Sequence, residues 1–446
     1  MAHSGARSIM AKARAALRNA VPAGGMRSDA IGSAVTKLVH AVLAMAVAVL
    51  LARVLGPADF GHFAFAMACA SIMTIVVQIG LPGLVLRETA RAVATGAPMP
   101  GHLVVWSLAV GSGVSAAVGI CIALALWQVP EVMPGPGRAP LMAILLLVPL
   151  VAALSTINHG IMGGGRVALG LAMDAVMRSG LFLMAIAGAL LLTGTLSPLV
   201  AVVLNIAVTG TTLAVALAVA WRRGLFEGAR TRTRDVRTWL AVALPLGALG
   251  GINVINSNTD LVMLGILASE ADVGRYRVVG QVVLVVLLVP DAIMLAVRPR
   301  FAGLWQTSDK ATLRGLVRRV AIVSTVATIA VASPFVIAGD VVLEAVFGEG
   351  FAAGATALSI LGIAAVLSSA LGPSVSLASM AGQERVAMQV VGVSALLNIV
   401  LNAAFIPYFG IEGAATASAI SLVFSRLWMR RVVRRRLGVE CCPAFT

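Results

Sequence analysis

Between Gly247 and Gln281 the chain reads GALGGINVINSNTDLVMLGILASEADVGRYRVVGQ, which sets Asn253, Asn256, Ser257 and Asp260 in an otherwise apolar run. Positions 253, 256 and 260 are three and then four apart, so a helix puts them on one face. Amides and a carboxylate in that arrangement can bind hydroxyls, phosphates or a cation through hydrogen bonds. In hydrocarbon they are costly unless a partner or water meets them.

Three other stretches carry similar stripes. Ser33, Thr36, Lys37 and His40 share a face in a first apolar run, and Ser71, Thr74 and Gln78 recur at helical spacing in a second. Arg277, Gln281 and Asp291 continue one line through Leu284 and Leu288 in the run after the Asn stripe. A water-filled cleft would satisfy all four stripes. Each group also has a plainer reading. Serines and threonines in membrane helices bond back to their own backbone, Lys37, Arg275 and Arg277 can snorkel to an interface, and His40 and the asparagines can be satisfied packing groups. Asp174 and Arg178, spaced i, i+4, predict a mutual ion pair that fixes helix packing, because burying either charge alone is costly. Asn398 and Asn402 predict packing polar groups. The sequence holds no phosphate-binding loop, zinc-protease helix, nucleophile elbow or Cys/His metal spacing. It therefore predicts no catalytic residue, metal or cofactor, and a chain that is not an enzyme.

The elements that position these stripes follow from composition. Of 446 residues, 60% are hydrophobic and 11% charged, with mean hydropathy +1.00. A soluble domain needs roughly a quarter charged residues. Apolar runs of helical, not barrel, length predict an all-α polytopic membrane protein. The net charge of +15 comes from arginines between the apolar runs, which fits contact with anionic membrane lipids and not nucleic acid. Cys69 and Cys121 lie within apolar runs and Cys441–Cys442 near the end, with no disulfide framework.

Apolar runs near 32–54, 60–82, 102–128, 140–160, 167–193 and 197–221, then 238–267, 273–297, 316–338, 352–378, 385–407 and 411–429, predict 12 spans. Their basic connections alternate, with the odd-numbered turns leaning acidic, so both termini are expected on the cytoplasmic side. Residues 1–30 form a basic N-terminal segment, with 6–20 either an amphipathic surface helix or disordered, and Met26 is an alternative start. Residues 31–222 and 238–430 form two six-helix bundles joined by a basic linker at 223–237, and 431–446 are a cytoplasmic tail. Two echoes support internal duplication: LGPADFGHF (55–63) against LASEADVGRY (267–276), and MGGGRVAL (162–169) against MAGQERVAM (380–388). Six spans per repeat relate the halves by an axis along the membrane normal.

The stretches LARVLGPADFGHFAFA (51–66), QIGLPGLVLRETAR (78–91), 243–282, EAVFGEGFAAGATALSIL (344–361) and 378–421 resemble the polysaccharide-export flippases, the Wzx-like branch of the MOP superfamily. The resemblance covers nearly the whole chain from about residue 30. It implies a V of two bundles related by a pseudo-two-fold axis, with helices 1, 2, 7 and 8 around a central cavity. It also implies alternating access that moves undecaprenyl-pyrophosphate-linked oligosaccharide across the bacterial inner membrane. On that reading Lys37, His40, Arg275 and Arg277 are candidates for the pyrophosphate, and Asn253, Asn256 and Gln281 for sugar hydroxyls, with Gln78 also lining the cavity. Proton or sodium coupling is an open expectation. Candidate partners are anionic lipids, a glycan polymerase and a chain-length regulator. A MATE-type cation/drug antiporter shares the fold and size, and a lipid II flippase or a non-transporting scaffold of glycan assembly are further alternatives. The net basic cavity candidates favour an anionic substrate over the antiporter's cations.

Overall fold

The computed structural model describes residues 23–128, 137–228, 236–306 and 310–437. The expectations for residues 6–20, for most of the 223–237 linker and for Cys441–Cys442 lie outside these. The described chain is all-α: α1 Ala23–Gln78, α2 Leu81–Thr95, α3 Gly101–Gln128, α4 Arg138–Gly163, α5 Val167–Leu171, a π-turn Ala172–Met177, α6 Arg178–Thr193, α7 Pro198–Arg222, α8 Val236–Leu267, α9 Glu270–Gln306, α10 Lys310–Ile337, α11 Gly339–Phe347, α12 Ala355–Ala370, α13 Ser374–Met380 and α14 Glu384–Leu437. Among the described residues, ten segments are long and apolar enough to cross a membrane. Two of them, Val35–Gln78 and Arg385–Arg436, are 44 and 52 residues long. Each is divided by a glycine outside helical geometry, Gly56 (φ 73°, ψ 175°) and Gly410 (φ 51°, ψ −124°). Proline follows Gly56 and precedes Gly410 within three residues, so each break has a local cause.

The apolar run at 60–82 ends earlier than its hydropathy suggests. Ile79 (φ 48°) and Gly80 (φ 76°) take the left-handed region, and Pro82 opens α2. A β-branched residue with positive φ is strained. The strain is held by packing: a Cβ on Gly80 would lie 2.1 Å from the Ala243 carbonyl oxygen, and one on Gly247 would lie 2.6 Å from the Gly80 nitrogen. Only glycine lets these two backbones touch. The 15-residue α2 that follows is too short to span and buries Leu81, Leu84, Val85 and Ala92.

The chain forms two compact units, residues 1–47 with 73–250, and residues 48–72 with 251–446. The grouping differs from a simple division at the linker, because α1 and α8 each contribute to both units. The core of the first unit gathers Leu81, Val85, Leu103, Val104, Leu154 and Ile157. That of the second gathers Phe301, Leu313, Val317, Ala378, Val390 and Met429.

Candidate functional site

In the first unit His40 is half-buried on α1, and its Nδ1–H donates to the Ala175 carbonyl at 2.9 Å. Ala175 lies in the π-turn, where the wider spacing disturbs the regular ladder and exposes carbonyls to side chains. A carbonyl can only accept, so Nδ1 carries the proton and Nε2 is the nitrogen left for another partner. Ser179 Oγ lies 3.3 Å from the same Nδ1. Asp174 and Arg178 flank this contact, with Asp174 Oδ1 3.5 Å from Arg178 Nε and the Asp174 side chain 52% exposed. Lys37, one turn before His40, is exposed. Gln78, expected to line a cavity, is buried at 4% exposure beside the Ile79–Gly80 break, with its Nε2 lacking a partner. Thr36 and Ser71 bond back to Gly32 and Met67 of their own helix.

In the second unit the stripe on α8 divides. Asn253 and Asn256 are exposed, and Ser257 bonds back to the Asn253 carbonyl at 2.8 Å. Asp260 falls on the same face by spacing, yet it is 8% exposed because α9 and α14 cover that end of the helix. Its Oδ2 accepts from Tyr276 Oη at 2.7 Å and from Ser418 Oγ at 2.5 Å, and its Oδ1 accepts from Asn402 Nδ2 at 2.6 Å. Asn398 joins by accepting from Asn402 at 3.0 Å and donating to Ser418 at 3.1 Å. Asn402 Oδ1 is buried with no partner. The network thus offers neutral donors around one carboxylate, and one spare oxygen. The sequence marks Asn398 and Asn402 only as packing groups and gives Tyr276 and Ser418 no role, since Tyr276 lies 16 residues from Asp260 on the next helix and Ser418 lies 158 away, and helical spacing joins neither to it.

The two arginines of α9 part company. Arg275 donates from Nε to the Gly350 carbonyl at 2.9 Å and pairs with Asp272 at 3.1 Å. It is therefore a tie for the turn after α11, not a free cation for a ligand. Arg277 is exposed and Gln281 half-buried.

The motif residues at this end of the second unit are packing devices. Arg53 donates to the Val346 carbonyl at 2.8 Å and to that of Ala345, closing the end of α11 where carbonyls lack helical partners. A Cβ on Gly61 would lie 1.8 Å from the Glu270 oxygen, and one on Gly274 would lie 2.1 Å from the Pro57 oxygen. The two repeats of the Asp-x-Gly turn therefore meet each other reciprocally, glycine of one against the helix start of the other.

A family model described as a polysaccharide biosynthesis protein matches residues 27–305, well over half of the chain. The chain belongs to this polysaccharide biosynthesis protein family. The matched region takes in the polar faces of α1 and α8 and most of α9. Over 165 residues the chain is 25% identical to a probable low-salt glycan biosynthesis flippase, Agl15, of Haloferax volcanii, an alignment covering 36% of this chain and 34% of that protein. The aligned stretch thus spans about a third of that relative. Among solved structures, an inward-facing multidrug resistance MATE family transporter of the MOP superfamily superposes with TM-score 0.72 at 13% identity, covering 90% of this chain and 94% of that one. The lipid II flippase MurJ in an inward closed conformation superposes with TM-score 0.63 at 10% identity, covering 91% and 87%. At such identities the likeness is one of fold. This polysaccharide biosynthesis protein is a multi-pass membrane protein with a MOP-type transporter fold.

Proposed function

We propose that the chain is a flippase that carries a lipid-linked oligosaccharide, an undecaprenyl-pyrophosphate-linked sugar, across the bacterial inner membrane for surface polysaccharide assembly. The family match over residues 27–305 carries this reading. The mechanism is alternating access, with both termini cytoplasmic. Lys37, the Nε2 of His40 and Arg277 are the groups assigned to the pyrophosphate, since charge-assisted hydrogen bonds from cations stabilise a polyanion. Asn253, Asn256 and Gln281 offer both donors and acceptors to sugar hydroxyls. The Asp260 network is assigned to ion coupling. A buried carboxylate with a spare amide oxygen beside it suits a proton or a sodium ion. Anionic lipids, a glycan polymerase and a chain-length regulator are the partners this role calls for.

Antiport of organic cations is the second reading, and the buried Asp260 is the feature that favours it. A deletion strain complemented with the chain separates the two. Lys37→Ala/His40→Ala is expected to abolish surface polysaccharide while lipid-linked precursor accumulates and the protein stays folded. Undiminished surface polysaccharide overturns the assignment of these cations. Proton-driven efflux of organic cations from proteoliposomes, without precursor transport, overturns the flippase reading.

A further inference from the structure

Away from the Asp-x-Gly turns, the second unit holds a partly open cavity of about 240 Å³ lined by α9, α10, α12, α13 and α14. Its polar lining includes Asp291 and Arg298 from α9, Ser324 from α10, Ser368 from α12, Ser376 from α13 and Arg426 from α14; Ser369 also lines it, with its hydroxyl 3.1 Å from that of Thr328. None of these belongs to the groups assigned to substrate or coupling above. Ser324 is 5% exposed, and its Oγ is buried without a partner. Neither arginine forms an ion pair with a described residue. Asp291 acts on Arg426 electrostatically across the pocket.

Two guanidinium groups and a cluster of hydroxyls around one space are a donor set, and donors in excess call for an anion. The planar fork of arginine matches two phosphate oxygens. The carboxylate of Asp291 offsets one of the two positive charges, so the pocket suits a singly charged group better than a multiply charged one. Asp291 can only accept hydrogen bonds when ionised, so a ligand beside it should bring its own hydroxyls. Size narrows the choice further. At about 30 Å³ of liquid volume per water, the space holds on the order of eight waters, more than a bare ion and less than an oligosaccharide. Depth agrees with this. Arg298 is exposed and lies just beyond Leu295, where the apolar span of α9 ends, the level at which lipid headgroups meet protein.

We propose that this pocket binds a phosphate ester carrying neighbouring hydroxyl groups, with Arg298, Arg426 and Ser324 on the phosphate and Asp291 on the hydroxyls. The ester is either the phosphoglycerol headgroup of a membrane lipid or a soluble alcohol phosphate. The proposal is independent of the transport reading, since it is tested by binding alone.

The test uses the full chain in nanodiscs of phosphatidylcholine, or of phosphatidylcholine and phosphatidylglycerol in equal parts, and in detergent with glycerol 3-phosphate. Retained lipid is measured by native mass spectrometry, and thermal unfolding is measured alongside. Phosphoglycerol lipid, the soluble ester, or both should raise the melting temperature, and the arm that responds names the source. Arg426→Gln and Arg298→Gln should each weaken that binding about tenfold, the ratio that ~1.4 kcal/mol represents. Arg300→Gln, two residues on and outside the pocket, should leave it unchanged. If an arginine variant does not fold, Asp291→Ala serves instead, because it removes the acceptor where an amide would keep one. It should keep phosphate binding but lose the preference for hydroxyls, so that glycerol 3-phosphate and methyl phosphate, equal in charge, raise the melting temperature equally, whereas wild type favours glycerol 3-phosphate. Equal binding by wild type and the arginine variants overturns the proposal, as does a hydroxyl preference unchanged by Asp291→Ala or a wild type that binds neither ester.

Discussion

The end of the second unit where α8 turns into α9 and the pocket around Arg298 are made of opposite materials. At the turn, glycines press backbone to backbone, and Arg53 and Arg275 have carbonyl partners. In the pocket, serines and arginines surround a space and their donors outnumber the acceptors within reach. Both regions are polar and both sit on α9. One spends its polar groups on holding the fold, whereas the other keeps them for something outside the chain. Charge and residue type therefore do not identify a binding residue here, but the presence of an internal acceptor does.

The sharpest way to break this contrast is to add atoms at the turn. Gly274→Leu is expected to prevent folding. The atom that a side chain would meet is the Pro57 carbonyl oxygen, not a side chain that can turn aside. The cost should exceed the ~1–3 kcal/mol typical of overpacking. Size-exclusion chromatography in detergent should show aggregate in place of a monodisperse peak. A monodisperse Gly274→Leu protein would mean that the two Asp-x-Gly turns do not touch.

Asp260→Leu comes next. It removes the carboxylate that accepts from Tyr276, Ser418 and Asn402 and leaves them only the weaker contacts of Tyr276 to Ser418 and of Asn402 to Asn398, a loss of about 3 kcal/mol if their hydrogen bonds have the usual worth at a charged group. Asn402→Ala removes one donor and should cost less, about 1–2 kcal/mol by the same measure. Thermal unfolding in detergent checks both. If Asp260→Leu keeps its melting temperature but loses transport, the network serves function with no part in stability.

Much of the turn was legible in the sequence, and almost none of the pocket. The apolar runs marked the helices, and the Asp-x-Gly echo marked the two turns, because glycine spacing and hydropathy are local signals. The end of the second run is not legible in this way, since hydropathy continues through Ile79 while the helical backbone does not. The Asn253–Asp260 stripe had the right face but not the right surroundings. Helical periodicity says which residues point the same way, and it cannot say that α9 and α14 cover only one end. The π-turn that receives His40 has no compositional mark. Arg426 and Ser324 come together through tertiary packing alone, and no spacing rule reaches across a hundred residues.

Arg275 and Arg277 test the same contrast within two residues. Arg275→Gln removes the donor to Gly350 and the partner of Asp272, and should lower stability by about 1–2 kcal/mol with a smaller effect on transport per folded molecule. Arg277→Gln should leave the melting temperature within experimental scatter and reduce export. Measuring both quantities for both variants sharpens the assignment. Interchanged results would make Arg275 the ligand group and Arg277 the tie.

The smallest effect is expected at Asp174. Spacing alone makes it one half of a buried ion pair, but its side chain is 52% exposed and its nearest approach to Arg178 is 3.5 Å. A pair so open to its surroundings is worth less than about 1 kcal/mol. Asp174→Ala should therefore shift the melting temperature little. Its position bears on His40 more than on packing, because Ala175, the next residue, supplies the carbonyl that fixes the ring. If Asp174 steadies the π-turn, Asp174→Ala should lower export through His40, and Asp174→Asn should restore it, since an amide can still accept from Arg178. Export unchanged in both variants would leave the pair as a surface contact and the π-turn as a feature that stands on backbone packing alone.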